Sequence, residues 1–177
     1  ASVIQILNWL LETGHNLGDK PLPSTGQELM RDLLNTRTND PESIYKQPLC
    51  YITLNDYLSW WNKLPKSSAS KIIERWGTPE NAEDLEYLGF AIHGVTYGNV
   101  AVLVQPSRAY DPNNKNDLHS PALPPPHRYL AQYLWIRNNF QSDAIVHVGK
   151  HGSLEWLPGK ALGLSSNCFP HIGIDKL

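Results

Sequence analysis

Residues 145–160 read I-V-H-V-G-K-H-G-S-L-E-W-L-P-G-K, and the reading of this stretch decides the fold. The apolar alternation over 144–148 predicts a strand. Gly149 and Gly152 then allow a tight turn, Ser153 is placed to cap a short helix carrying Glu155, and Pro158 stops it. His147, His151 and Glu155 recur every fourth residue. On one continuous helix they would share a face. The glycines argue against such a helix, so the expectation is strand end, turn and short helix, with backbone open to close approach by a large ligand. In open α/β sheets, ligands gather beyond the carboxyl ends of strands, where this motif falls.

Outward from the motif, a helix is expected over 127–140 behind Pro126, with Leu130, Tyr133, Leu134, Trp135 and Ile136 as its apolar stripe. Before it lies a Pro/Asn-rich loop, 111–126, long enough to be functional. Residues 88–93 and 99–105 read as a hairpin joined across Gly94 and Gly98, its second strand apolar on both faces and so inside a sheet. Ahead of residue 87 the texture is helical. Helices are expected over 3–12, over 27–34 behind the capping box Thr25-x-x-Glu28, from an Asn55 or Asp56 cap to 63, and over 67–76 before Gly77 and Pro79. A short strand over 49–53 interrupts them. Of the adjacent Trp60 and Trp61, one should meet an interface or groove, since both cannot face one side. The whole predicts one α/β unit over 1–177: a helical part, 1–86, then a sheet-and-motif part, 87–177, forming a mixed, partly parallel, Rossmann-like sheet flanked by helices. The chain opens without Met inside a helix, and is read as a piece of a larger subunit.

Composition narrows the function. A net charge of −2 argues against a nucleic-acid partner. Cys50 and Cys168 lack metal-ligand spacing and suggest no disulfide framework, which points to a reducing, cytoplasmic setting. No apolar run approaches membrane-span length.

Familiar motifs fail. The run Gly152 to Gly159 is too wide for a phosphate-cradling P-loop, and Ala161 stands where the magnesium-binding hydroxyl belongs. The zinc-protease pattern needs its glutamate beside the first histidine, and there is no G-x-S-x-G elbow. What remains is a pair of imidazoles and a carboxylate. His147, His151 and Glu155 suit a divalent transition metal, or can take protons from a weakly acidic ligand near neutral pH. Lys150 and Lys160 can meet substrate carboxylates, or simply be solvated. His127 sits at a helix N-terminus, which disfavours its cationic form; it is read as a neutral ligand or base, or as a surface residue. Trp156 is read as packing.

The string H-V-G-K-H-G-S-L-E-W-L-P-G-K-A-L-G-L-S, followed by C-F-P, resembles the signature of the large subunits of class I chelatases: the CobN-type cobaltochelatase subunit and the H subunit of magnesium chelatase. The likeness runs upstream through W-G-T-P-E, Y-G-N-V-A-V-L-V-Q-P-S-R-A-Y and S-P-A-L-P-P-P-H-R-Y-L. Lys150 and L-E-W-L-P-G-K look like the cobalt branch. The resemblance implies a tetrapyrrole-binding subunit inserting Co2+ as substrate metal into hydrogenobyrinic acid a,c-diamide, with ATP hydrolysed on separate AAA+ partner subunits. On this reading Glu155 accepts ring protons, His147 and His151 guide the metal or share that role, and Lys150, Arg108 and Lys160 pair with the corrin's peripheral carboxylates. Alternatives are a magnesium chelatase H subunit acting on protoporphyrin IX, a non-catalytic tetrapyrrole-binding module and a stand-alone metal hydrolase.

Overall fold

Ile4 and Leu7, one turn apart on the apolar face of α1 (Ser2–Glu12), seed the first of two packing units in the computed structural model, which describes residues 2–108, 120–149, 153–159 and 163–175. This unit joins Ala1–Cys50 to Ile92–Gln105. Its core gathers Ile4, Leu7, Leu17, Leu29, Val95 and Tyr97. The capping box forms at α2 (Gly26–Leu34): Thr25 Oγ1 accepts from the Glu28 N–H at 3.2 Å. The Glu28 carboxylate returns one residue earlier than expected, to the Ser24 N–H at 2.7 Å.

The hairpin of this unit is β3 (Gly94–Tyr97) with β4 (Val100–Leu103), antiparallel, in the register Gly94↔Leu103 to Tyr97↔Val100. The first strand expected in it, over 88–93, is instead a separate element. Gly98 explains the turn: its φ is +51°, and an added Cβ would sit 2.6 Å from the Asn16 carbonyl oxygen. Among the described residues β4 has a single partner; it is half-buried, not enclosed in a sheet as its sequence suggests.

The Tyr97 hydroxyl donates to Asp32 at 2.7 Å, and Lys20 lies 2.9 Å from the same carboxylate. These contacts, the tyrosine first, hold the Asp32 carboxyl below the usual aspartate range. A depressed carboxyl stabilises the fold above its unfolded value, near pH 4, and loses that contribution as pH falls through the folded value. Asp32→Asn is therefore expected to cost about 1 kcal/mol at pH 7. That difference in urea midpoint should begin to shrink as pH falls below about 4 and close as the folded carboxyl is protonated.

The second unit contains Tyr51–Ala91 and Pro106–Leu177. β1 (Cys50–Ile52) and β2 (Phe90–Ile92), in which the unit boundaries fall, pair as a second two-stranded sheet. α3 (Leu54–Trp61) is capped by Thr53, whose Oγ1 accepts from the Asp56 N–H at 3.1 Å. Asn55 and Asp56, the expected caps, already lie inside the helix, while Thr53 has the extended backbone a cap requires. Trp61 is buried and Trp60 half-buried. α4 (Lys66–Trp76) stops at Gly77, φ +79°, as its sequence predicts.

α5 (His127–Asn138) is the axis of this unit. Every residue from Tyr129 to Ile136 is buried, so the helix is enclosed on all sides rather than along one stripe. α6 (Phe169–Ile174) packs on α5 and on a one-turn 3-10 helix, Leu154–Trp156.

The chain is α/β, as expected. The one pairing whose register is defined, β3 with β4, is antiparallel. The strand expected over 144–148 forms no ladder; Val146 and Val148 are 66% and 50% exposed. Apolar alternation prepares a segment for a sheet, but a ladder needs a neighbour. Among the described residues, no helix is long and apolar enough to cross a membrane.

Candidate functional site

Tyr129 and Tyr133 lie one turn apart on α5 and project from the same face. Both are buried, at 0% and 2% exposure. The Tyr133 hydroxyl meets His147 Nε2 at 3.1 Å, with the two rings edge-on at 84°. The Tyr129 hydroxyl meets Ser153 Oγ at 2.9 Å, and the two tyrosine rings pack with their centroids 5.3 Å apart. The two neighbouring phenols thus hold Ser153 and His147 against one face of the buried helix. Burial pushes the Tyr129 phenol up, so it stays protonated and able to donate.

Ser153 does not cap the turn that follows it: its hydroxyl goes to Tyr129, and its backbone is helical rather than extended. Leu154 and Leu157, both buried, anchor that turn, leaving Glu155 exposed between them. The loop beyond is fastened at its base, where Cys168 Sγ donates to the Gly159 carbonyl at 2.8 Å. Gly159 has φ +105°, and an added Cβ would lie 2.9 Å from Cys168 Cα, so the position demands glycine. Trp156, expected as packing, is 43% exposed.

Arg108 is 1% exposed, and its guanidinium donates to the Ser120 and Leu123 carbonyls, both at 3.0 Å. Its charge and that of Glu155 both act on Tyr129. Arg108 and Glu155 therefore lie within electrostatic reach of the phenol that Ser153 touches, and His147 meets the next one. Arg108 braces the loop ahead of α5 from inside rather than presenting its charge at a surface.

His127 stands apart from this group. It is wholly buried, with Nε2 3.0 Å from the Gly77 carbonyl and Nδ1 3.0 Å from the Tyr57 hydroxyl. A carbonyl only accepts, so Nε2 carries the proton and Nδ1 accepts from Tyr57. Burial pushes its pKa down and keeps the ring neutral. Phe90 stacks on it at 6.0 Å, and Trp61 approaches to 5.1 Å. The neutral form is as the sequence suggests, but both nitrogens are engaged in tying α3 and the end of α4 to α5. Lys150, His151 and Lys160 lie outside the described residues. Among the described residues, no three His, Cys, Asp or Glu side chains gather as a metal site.

Tyr129 and Tyr133 were legible only as core in the sequence. Their spacing in H-R-Y-L-A-Q-Y-L-W, two phenols one turn apart, was the available signal. An exposed imidazole and an exposed carboxylate, backed by two buried phenols, can accept protons or hold a cation while exchanging with solvent.

A family model described as CobN/Magnesium Chelatase matches residues 1–177. The aerobic cobaltochelatase subunit CobN of Pseudomonas aeruginosa is 39% identical over 171 residues, covering 96% of this chain and 14% of that protein. The chloroplastic magnesium-chelatase subunit ChlH of Oryza sativa subsp. indica is 31% identical over 169 residues, covering 96% of this chain and 12% of that protein. Among solved structures, the catalytic subunit of cobaltochelatase from Mycobacterium tuberculosis superposes with a TM-score of 0.79 at 31% identity. That match covers 98% of this chain and 15% of the other. The chain thus spans about a seventh of the length of such relatives. With its whole length matched by the family model, and the signature around Glu155 seated on a buried helix, the chain belongs to the CobN/magnesium chelatase family.

Proposed function

We propose that the chain is the tetrapyrrole-facing part of the large subunit of an ATP-dependent cobaltochelatase. The subunit inserts Co2+ into hydrogenobyrinic acid a,c-diamide during cobalamin biosynthesis. The observation that carries this reading is the placement of an exposed Glu155 on a short turn whose Ser153 and neighbouring α5 tyrosines lead to an exposed His147. A corrin binds its metal as a monoanion, so one inner N–H proton must leave for each Co2+ that enters, against two for a porphyrin. Glu155 takes ring protons, and His147 and His151 guide the metal or share the proton load. Val146, Val148 and Trp156 offer apolar surface beside these groups for the face of a macrocycle.

Cobalt is favoured over magnesium by Lys150, by L-E-W-L-P-G-K, and by the 39% identity to a cobaltochelatase subunit against 31% to the rice ChlH. A magnesium chelatase H subunit acting on protoporphyrin IX is the second reading, supported by the match of the rice relative over 96% of this chain. Lacking a P-loop in its sequence, the chain leaves ATP hydrolysis to AAA+ partner subunits, in the cytoplasm. Lys150 and Lys160 pair with peripheral carboxylates of the corrin. Arg108, buried, braces the loop ahead of α5, and His127 keeps that helix in place.

Titrating the full-length subunit with the corrin and with protoporphyrin IX, followed by absorbance, tests the assignment. Tighter binding of the corrin by about tenfold or more, roughly 1.4 kcal/mol, is expected. Preference for the porphyrin would move the protein to the magnesium branch.

A further inference from the structure

Glu155 sits in a single 3-10 turn, Leu154–Trp156. Two backbone bonds of 3.2 Å close it, Trp156 N–H to the Ser153 carbonyl and Leu157 N–H to the Leu154 carbonyl. A lone turn of this kind has no stability of its own, because ordering its residues costs more than one or two hydrogen bonds return. The place of Glu155 is therefore decided by the two ends of the turn and by the surface beneath it. The front end rests on α5 through Ser153 and Tyr129. The rear end and the underside rest on α6.

At the rear, two bonds join the corner Pro158–Gly159 to the start of α6. The Phe169 N–H donates to the Pro158 carbonyl at 3.1 Å, and the Cys168 thiol donates to the Gly159 carbonyl at 2.8 Å. The Ser165 N–H donates to the same sulfur at 3.3 Å. Beneath the turn lies Gly173, where an added Cβ would stand 3.2 Å from Leu154 Cδ1 and 3.8 Å from Tyr133 Cγ. Leu154 is 5% exposed and has little room to retreat. α6 is itself held at both ends. Ser68 of α4 donates to the Asn167 carbonyl at 3.1 Å, and Arg137 of α5 pairs with Asp175 at 3.0 Å.

We infer that Cys168 and Gly173 are positioning residues for the candidate base. Through the Gly159 corner and through Leu154, they set the place of the Glu155 carboxylate. Both are buried, so they act through Glu155 rather than on a ligand. Misplacing a reacting group by about 1 Å can cost roughly 100-fold in rate, so a support of this kind matters to the chemistry. The inference rests on the proposed role of Glu155, and its test separates the two.

The test compares metal insertion by the full-length subunit and its variants, each first shown by its Tm and its tetrapyrrole affinity to be folded. Gly173→Ala is the sharpest of them. Alanine favours a helix over glycine, so a merely structural role predicts no loss. Its methyl must nonetheless push Leu154, and Glu155 with it, by a few tenths of an ångström. The expected result is a fall in kcat of roughly tenfold with KM for the tetrapyrrole little changed. Cys168→Ala leaves the Gly159 carbonyl without its donor and should lower kcat by a similar factor. Cys168→Ser, whose hydroxyl can still donate, should recover most of that loss. In a Glu155→Gln background, neither Gly173→Ala nor Cys168→Ala should slow insertion further, because all three act through one carboxylate. Gly173→Ala keeps the experiment decisive if loss of the thiol unfolds the corner.

Wild-type kcat in both Gly173→Ala and Cys168→Ala, beside a slow Glu155→Gln, overturns the inference and leaves the role of Glu155 standing. Further slowing of the Glu155→Gln protein by either change overturns it as well. Normal insertion by Glu155→Gln removes the base itself and, with it, the positioning role.

Discussion

Glu155→Gln in the full-length subunit is expected to slow metal insertion by about 10²–10⁴-fold, the contribution of a positioned acid–base group. The amide keeps the size and polarity of the carboxylate but cannot accept a proton at neutral pH. Since Glu155 is exposed on a turn anchored by Leu154 and Leu157, the exchange should leave folding unchanged within about 0.5 kcal/mol. Tetrapyrrole affinity should be nearly unchanged as well, because the loss falls on the chemical step rather than on binding. Normal insertion by a folded Glu155→Gln protein would remove Glu155 from the proton-accepting role. A loss of affinity with an unchanged rate constant would make it a binding group instead.

The fold and the site were legible in the sequence to different depths. Local chemistry read well. Thr25 caps α2, Gly77 ends α4 and Pro126 precedes α5, because each of these depends on residues a few positions apart. Pairing read less well. The two glycines at 94 and 98 marked a hairpin, but only Gly98 makes its turn; Gly94 opens β3, whose partner differs from that of β2 just before it. The alternation over 144–148 looked like a strand because alternation describes one chain, whereas a ladder requires a second. Residues Glu155 and His147 were legible as types, since carboxylate and imidazole advertise their chemistry. Tyr129 and Tyr133 were not, because a phenol in a core helix reads as apolar bulk until its hydroxyl partner is known. His127 was legible as neutral, yet its enclosure depends on Tyr57, Trp61, Phe90 and Gly77, all distant in sequence.

The second large effect concerns His127, and it separates an internal role from ligand binding. His127→Ala is expected to destabilise the chain by about 3–5 kcal/mol. The change opens a cavity among Tyr57, Trp61 and Phe90, and strands the Gly77 carbonyl and the Tyr57 hydroxyl without their partner. For a chain of this size that corresponds to a fall in Tm of roughly 6–20 °C.

The wild type should carry a pH signature that the variant lacks. Burial lowers the folded-state pKa of His127, so the unfolded state binds the proton more readily. The contribution of the neutral ring is complete above the unfolded value, near pH 6.5, and is lost as pH falls toward the lower folded value. Thermal unfolding of both proteins between pH 5 and 8 measures this directly. A His127→Ala protein of wild-type stability that fails to bind tetrapyrrole would instead make His127 a ligand.

The most direct measurement is a structure of the full-length subunit with the corrin bound. The expected placement puts the Glu155 carboxylate within hydrogen-bond reach of a pyrrolic nitrogen, about 2.6–3.2 Å directly or through one water. In it His147 Nδ1 faces the ring centre while Nε2 stays on Tyr133. A corrin seated away from residues 145–160, with Glu155 in open solvent, would contradict it.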